Sequence, residues 1–235
     1  MARSQKARVN RLRTTIIASG GAVIVALIVV GILYSSGQLG TGGSNAEHQY
    51  RNLGRKHGTE PIEVVEYFSY ACIHCKNFDP VIEDWKTTLP TGVKFRRAHV
   101  GFSNETALLA RAYYALEHHG ALDRNHTRLF RAIHDRGRRF SSVESVADYV
   151  DGFGIERAAF LNTVNGRRIS EIALADDRRW REYGLTGVPA LVVAGNYVVN
   201  MNLGRVRALE IVDSLVLELL AKSPNRCPFE RPNAA

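Results

Sequence analysis

Apolar residues are spaced in three ways along this chain, and each spacing predicts a different element. From Thr14 to Tyr34 they run almost unbroken, with no charge among the Ile, Val, Ala and Leu residues. About 20 helical residues cross a hydrocarbon core of ~30 Å, so this run predicts a transmembrane helix. A cleavable leader has a shorter apolar stretch, about 7–15 residues; the length here points to an uncleaved anchor, with Ser35-Ser36-Gly37 as the place where a cut would fall. Ser36 to Ala46 is then a Gly- and Ser-rich linker spanning roughly 15–20 Å.

The second spacing is that of strands. Pro61 precedes Ile62-Glu63-Val64-Val65-Glu66-Tyr67-Phe68, a short run rich in β-formers. Val93 to Val100 alternates and reads as another strand. Between them a helix is expected from Cys72 to Leu89, kinked or split at Pro80 and stopped by Pro90-Thr91-Gly92. Strand, helix, strand at this spacing makes a βαβ unit, so the strands should be parallel. Strands return at Ala190 to Val193, with Gly195-Asn196 as a hairpin turn and Tyr197 to Val199 running back antiparallel.

The third spacing is helical and fills the middle. Ser103 or Asn104 caps a helix with Leu109, Ala112, Tyr113 and Leu116 on one face, ended by Gly120. Asp123 opens a second, with Leu129, Phe130 and Ile133 inward, and Ser141-Ser142-Val143-Glu144 reads as a capping box for a third. Glu156 to Val164 and Arg168 to Tyr183 complete the block, with Gly166 and Gly184 as residues just past helix ends. Arg205 to Lys222 is a last helix with Leu209, Val212, Leu215, Val216 and Leu219 in one stripe. The order βαβ, helical block, ββα predicts an α/β fold: a thioredoxin-like core interrupted by an all-helical insertion and preceded by one membrane helix. Its parts are a basic flank (1–13), the anchor (14–34), a linker and lead-in (35–59), the core in two pieces (60–102 and 185–223), the insertion (103–184) and a tail (224–235).

Charge supports the anchor rather than a nucleic-acid partner. Of the net +8, Arg3, Lys6, Arg8, Arg11 and Arg13 supply five, and no acid precedes Glu47. Such a flank holds the N-terminus in the cytoplasm and leaves the folded part on the outer face of the inner membrane. Arg136-Gly137-Arg138-Arg139 and Arg178-Arg179 read as solvated helix ends and faces. The chain contains neither a phosphate loop nor a dinucleotide fingerprint, and no internal repeat.

Three cysteines, Cys72, Cys75 and Cys227, are too few for a disulfide-stapled scaffold. Cys227 lies in a proline-flanked tail and reads as a non-catalytic thiol or the site of a link to a partner or to the domain. Cys72-Ile73-His74-Cys75 lies where a helix should begin, and unpaired N–H groups there favour thiolate. A redox couple is the better reading; half of a zinc site would need a second pair of ligands. His99, His118, His119, His126 and His134 suggest no metal set, and Trp85 and Trp180 read as packing residues. The triplets Asn104-Glu105-Thr106 and Asn125-His126-Thr127 match a glycosylation signal only by chance.

Glu66-Tyr67-Phe68-Ser69-Tyr70-Ala71-Cys72-Ile73-His74-Cys75, the helical insertion and Gly187-Val188-Pro189 together resemble the bacterial DsbA family of thiol:disulfide oxidoreductases over about residues 60–222. The chain departs from the best-known members at Ile73, where they carry proline, and in its anchor, since many are soluble. The resemblance implies an acidic, attacking Cys72, a shielded, resolving Cys75, and a cis-Pro189 facing them, with Val188 before it. It implies Glu66 as a proton relay beneath the site and His74 as a donor of a hydrogen bond or charge to the Cys72 thiolate. Ile73 and Val188 would then meet substrate. No cofactor is implied beyond the Cys72–Cys75 disulfide itself. Expected partners are reduced or unfolded exported proteins and a quinone-linked membrane reoxidase of DsbB type, on the periplasmic face. Two alternatives stay open from the residues: a reductase or isomerase of the same fold, and a tethered metal-binding module using Cys72, His74 and Cys75.

Overall fold

The computed structural model describes residues 49–55 and 61–222. The basic flank, the 14–34 run, the 36–46 linker and the tail with Cys227 lie outside the described residues. No helix among the described residues is long and apolar enough to cross a membrane.

In chain order the elements are β1 (Tyr50–Asn52), β2 (Ile62–Phe68), α1 (Ile73–Lys86), β3 (Val93–His99), α2 (Asn104–His118), α3 (Leu122–His134), α4 (Val143–Val150), α5 (Arg157–Val164), α6 (Arg167–Glu182), β4 (Ala190–Val193), β5 (Tyr197–Val199) and α7 (Arg205–Lys222). They form one mixed sheet in the order β1-β5-β4-β2-β3. β2 and β3 are parallel, as a βαβ crossover requires, and the other pairs are antiparallel. The parallel register sets Glu66 opposite Arg97. The antiparallel one sets Tyr67 opposite Ala190, so Pro189 falls level with the end of β2.

Three apolar clusters hold these layers together. On one face of the sheet, Val64 and Leu191 meet Phe78, Ile82 and Trp85 of α1 and the Leu209–Leu219 stripe of α7. On the other, Val65, Tyr67, Ala98 and Val192 meet Leu185 and Trp180. The third fills the insertion around Leu116, Leu129, Phe130 and Phe160, and it takes in Phe68, Tyr70 and Cys75 from the core. The end of β2 and the second cysteine are therefore packed by the insertion, and the seam between the two parts passes beneath the thiols.

Several local expectations shift. Pro80 does not split α1, which runs through it with the proline exposed. One interior proline costs about 3 kcal/mol, and burying Phe78, Ile82 and Trp85 returns roughly 1.5–3 kcal/mol each. The cap of α4 is Ser142 with Ser145, one residue later than the expected Ser141–Glu144 box. Gly166 follows the Asn165 C-cap of α5, as expected, but is extended (φ −69°, ψ 144°) and serves also as the N-cap of α6. The left-handed hairpin residues are Ala194 (φ 52°) and Gly195 (φ 63°), one position before the expected pair. β1 was not foreseen, because Tyr-Arg-Asn is short and mostly exposed. It is tied down by pairing with β5 and by Arg51, whose Nη2 donates to the Tyr183 carbonyl at 2.6 Å. Asn125 is fully buried and donates to the Ala121 and Phe153 carbonyls, so its triplet is no glycan acceptor.

One buried carboxylate joins α6, β3 and α2. Asp176 accepts from Arg96 Nη1 at 2.9 Å and Nη2 at 3.1 Å, from the Tyr114 hydroxyl at 2.7 Å, and from Arg179 at 3.1 Å. Asp176→Ala leaves the Tyr114 hydroxyl and both Arg96 Nη groups without their partner, while Glu63 stays on Arg96 Nε at 3.0 Å, and is expected to cost about 2–3 kcal/mol in a urea titration. A loss below about 1 kcal/mol would show that water replaces the carboxylate.

Candidate active site

Ser69, Tyr70 and Ala71 carry the chain from β2 to α1. The Cys72 N–H donates to the Ser69 carbonyl at 3.0 Å, and the Cys72 carbonyl accepts from Lys76 N–H at 3.1 Å. Cys72 is thus the N-cap residue, extended at φ −94° and ψ 115°, with the first N–H groups of the helix beside its sulfur. One turn on, Cys75 points inward and is 1% exposed, whereas Cys72 is only partly buried. Both are free thiols, and the Cys72 Sγ donates to the Val188 carbonyl at 3.3 Å. The Val188–Pro189 peptide is cis, as expected.

This asymmetry separates the two sulfurs chemically. Cys72 is held down at about 6: the Cys75 thiol hydrogen bond contributes most, burial opposes it, and the N–H groups of Cys75 and His74 add to it. The charge of His74 lowers it too, by less than the second thiol and the N–H groups at the helix start. Cys75 is pushed far up by burial, by the neighbouring Cys72 and by the charge of Glu66. Ile73 (44% exposed) and His74 lie on the open side of the pair.

Glu66 is buried in the sheet and accepts from Arg97 Nε at 2.8 Å. Burial raises its carboxyl to about 7; Arg97 opposes this, and Asp79 and Glu83 add to it. A carboxyl group that titrates near neutrality next to a buried thiol can give and take a proton. Arg97 was not singled out from sequence, yet it holds three carboxylates, donating also to Asp79 at 2.9 Å and Glu83 at 2.8 Å. Asp79 in turn meets His126 Nε2 at 3.1 Å, and His126 Nδ1 meets the Tyr70 hydroxyl at 2.9 Å. His99 Nε2 accepts from the Tyr70 N–H at 3.0 Å, and His134 Nε2 lies 2.8 Å from the Tyr70 carbonyl. Three of the histidines set aside in the sequence therefore ring the loop before Cys72. The available signal was spacing: Asp79 lies four residues after Cys75, on the same face of α1. Among the described residues, no group of three His, Cys, Asp or Glu side chains converges on a metal position.

Two titrations test this electrostatics. With Cys227 replaced by serine, thiolate absorbance of the reduced protein should rise with a midpoint near 6 from Cys72 alone, with Cys75 silent. A midpoint at the ordinary thiol value, about 8.5, would contradict the geometry. Glu66 has a higher pKa folded than unfolded, so its protonated form stabilises the fold below pH 4.5, and this is lost as pH rises through about 7. Relative to the parent, Glu66→Gln should therefore gain about 3 kcal/mol between pH 4 and pH 8 in urea unfolding.

With the geometry in place, known proteins can be compared. The family model for the DSBA-like thioredoxin domain matches residues 85–215, a span that starts after the cysteine pair. The thiol:disulfide interchange protein DsbA of Azotobacter vinelandii is 32% identical over 157 residues, covering 66% of this chain and 73% of that protein. DsbA of Pseudomonas aeruginosa is likewise 32% identical over 157 residues, 66% of this chain and 74% of that protein. The crystal structure of Pseudomonas aeruginosa DsbA superposes with a TM-score of 0.69 at 31% identity, over 74% of this chain and 94% of that one. The oxidoreductase DsbA of Xylella fastidiosa gives 0.68 at 29% identity, over 74% and 96%. Fold, site geometry and these matches agree: the chain belongs to the DsbA-like thioredoxin-domain family.

Proposed function

We propose that this protein is a thiol:disulfide oxidoreductase that works as a disulfide oxidase on exported proteins, through Cys72 and Cys75. The observation that carries this is the split between an accessible, acidic Cys72 and an insulated Cys75. In the oxidised protein a substrate thiolate attacks the Cys72 sulfur. The Cys72–Cys75 bond breaks, and its electron pair leaves on Cys75, which takes the proton that Glu66 holds. A second substrate thiolate then attacks the substrate's own sulfur in the mixed disulfide and expels Cys72 as thiolate. The substrate has lost two electrons, and the protein pair holds them. A low-pKa leaving thiol makes that last step fast and favours the reduced protein.

Substrate recognition follows from the same surface. The Val188 backbone lies against Cys72, where an extended chain can pair with it. Ile73, Leu203 and Val206 are 44%, 43% and 64% exposed, and Arg205 ties the start of α7 to the second turn of α1 through the Asn77 carbonyl at 3.3 Å. An apolar, shallow rim of this kind suits unfolded chains of varied sequence.

The tether belongs to the same proposal. The charge-free 14–34 run, the five basic residues before it and the Gly-rich linker support a single-pass inner-membrane anchor with the folded part on the periplasmic side. There, a membrane-embedded, quinone-linked reoxidase of DsbB type would regenerate the disulfide.

Cys75→Ala is expected to accumulate covalent adducts on Cys72 that reductant releases, read by non-reducing gels; Cys72→Ala should accumulate none. Equilibration with glutathione should place the couple on the oxidising side of glutathione. A potential near that of thioredoxin would replace the oxidase with a reductase of the same fold. Because the Cys72 pKa is depressed on folding, its thiolate stabilises the reduced form fully above the unfolded thiol pKa. That advantage should fade as pH falls through about 6, narrowing the stability gap to the oxidised form.

A further inference from the structure

We propose that His126 is a positioning residue for the thiol pair: through it the helical insertion fixes Asp79, and Asp79 in turn sets how the Arg97 guanidinium is shared with Glu66. The proposal rests on the oxidoreductase reading of Cys72 and Cys75 but reaches a residue of the insertion that touches neither sulfur.

The geometry is specific. Asp79 Oδ1 accepts from two directions at once, from Arg97 Nη2 at 2.9 Å and from His126 Nε2 at 3.1 Å. Asp79 Oδ2 meets the Thr127 hydroxyl at 3.4 Å, so two consecutive residues of α3 grip one carboxylate of α1. The far side of the ring is fixed too, since Nδ1 lies 2.9 Å from the buried Tyr70 hydroxyl. An ionised Asp79 requires the proton on Nε2, which leaves Nδ1 to accept from the tyrosine. Both contacts orient the ring, and its burial favours the neutral form. Burial holds its pKa down, and the hydrogen bond to Asp79 pulls the other way. The other groups facing it do not compete for Asp79: His99 is neutral, pushed down to about 3 chiefly by burial, and the Tyr113 hydroxyl turns to Glu117.

Arg97 carries one positive charge and meets Glu66, Asp79 and Glu83. Lys86 also pairs with Glu83, so three carboxylates share two cations and one negative charge is in surplus; Glu66, the most buried of them, is raised to near 7 by burial first and by its neighbours' charge second. The hydrogen bond from His126 relieves part of the Asp79 charge. Without it, Asp79 draws more of Arg97 and repels the Glu66 carboxylate more strongly. A cavity of about 680 Å³ between the insertion and β3 is lined by His126, Thr127, Arg97 and Glu83 but not by Cys72, Val188 or Pro189. Arg97 and His126 thus border a cavity that is separate from the surface around Cys72, while Glu66 and Asp79 stay buried behind them.

The test is the Glu66 carboxyl 13C titration in the reduced full-length protein, a readout that needs no substrate. His126→Phe removes the donor to Asp79 and should raise the Glu66 midpoint by about half a pH unit or more. His126→Gln, whose amide can still donate, should restore the parent midpoint. Asp79→Asn should lower it, and adding His126→Phe to Asp79→Asn should then change nothing further, because the histidine acts through that carboxylate. If the Phe variant does not fold, His126→Asn, too short to reach Asp79, takes its place with the same expected rise. An unchanged midpoint in both the Phe and Asn variants overturns the proposal, as does a shift that persists in the Asp79→Asn background. Failure of the oxidase reading would look different: the parent protein itself would not oxidise a reduced two-cysteine peptide, whatever Glu66 does.

Discussion

Arg97 is the side chain on which the rest of the site depends. It projects from β3, is largely buried, and meets carboxylates from β2 and from two turns of α1. A buried charge is tolerable only when paired and hydrogen-bonded on all sides, so these partners fix one another's positions. The result is a rigid polar floor under two sulfurs. Above it, the apolar packing of Phe68, Tyr70 and Cys75 into the insertion keeps water from the second thiol.

The redox asymmetry follows from placing two identical side chains three residues apart across a helix start. Cys72 faces unpaired N–H groups and an open surface; Cys75 faces a low-dielectric interior and a carboxylate. Burial disfavours charge on one sulfur, and the helix end favours it on the other. The insertion is therefore more than a cover over the thioredoxin-like core. It supplies the walls that desolvate Cys75 and, through Asp79, a link to the charges that govern its proton.

Elements were legible in the sequence wherever burial imposes a period. β2, α7 and the parallel β2–β3 unit lie where the runs predicted them, and the helical block spans the expected stretch. The misses have local causes. β1 is short and polar, so no apolar pattern marks it. The cap of α4 shifted because Ser141 and Ser142 are equally suited to cap, and only the packed helix chooses between them. Pro80 was overweighted because the apolar face of α1 outweighs one missing hydrogen bond.

By itself the sequence determined the cysteine pair, its place at a helix start, the interrupted core and the acidic residue in β2. These are encoded by neighbours a few positions apart, whose chemistry is read along the chain. Only the tertiary structure decided which charges meet. Glu66 and Arg97 are 31 residues apart, and Asp79 and His126 are 47 apart. Strand register and helix packing bring them within hydrogen-bond distance, and pairing energy at that range depends on position in space rather than on spacing in the chain.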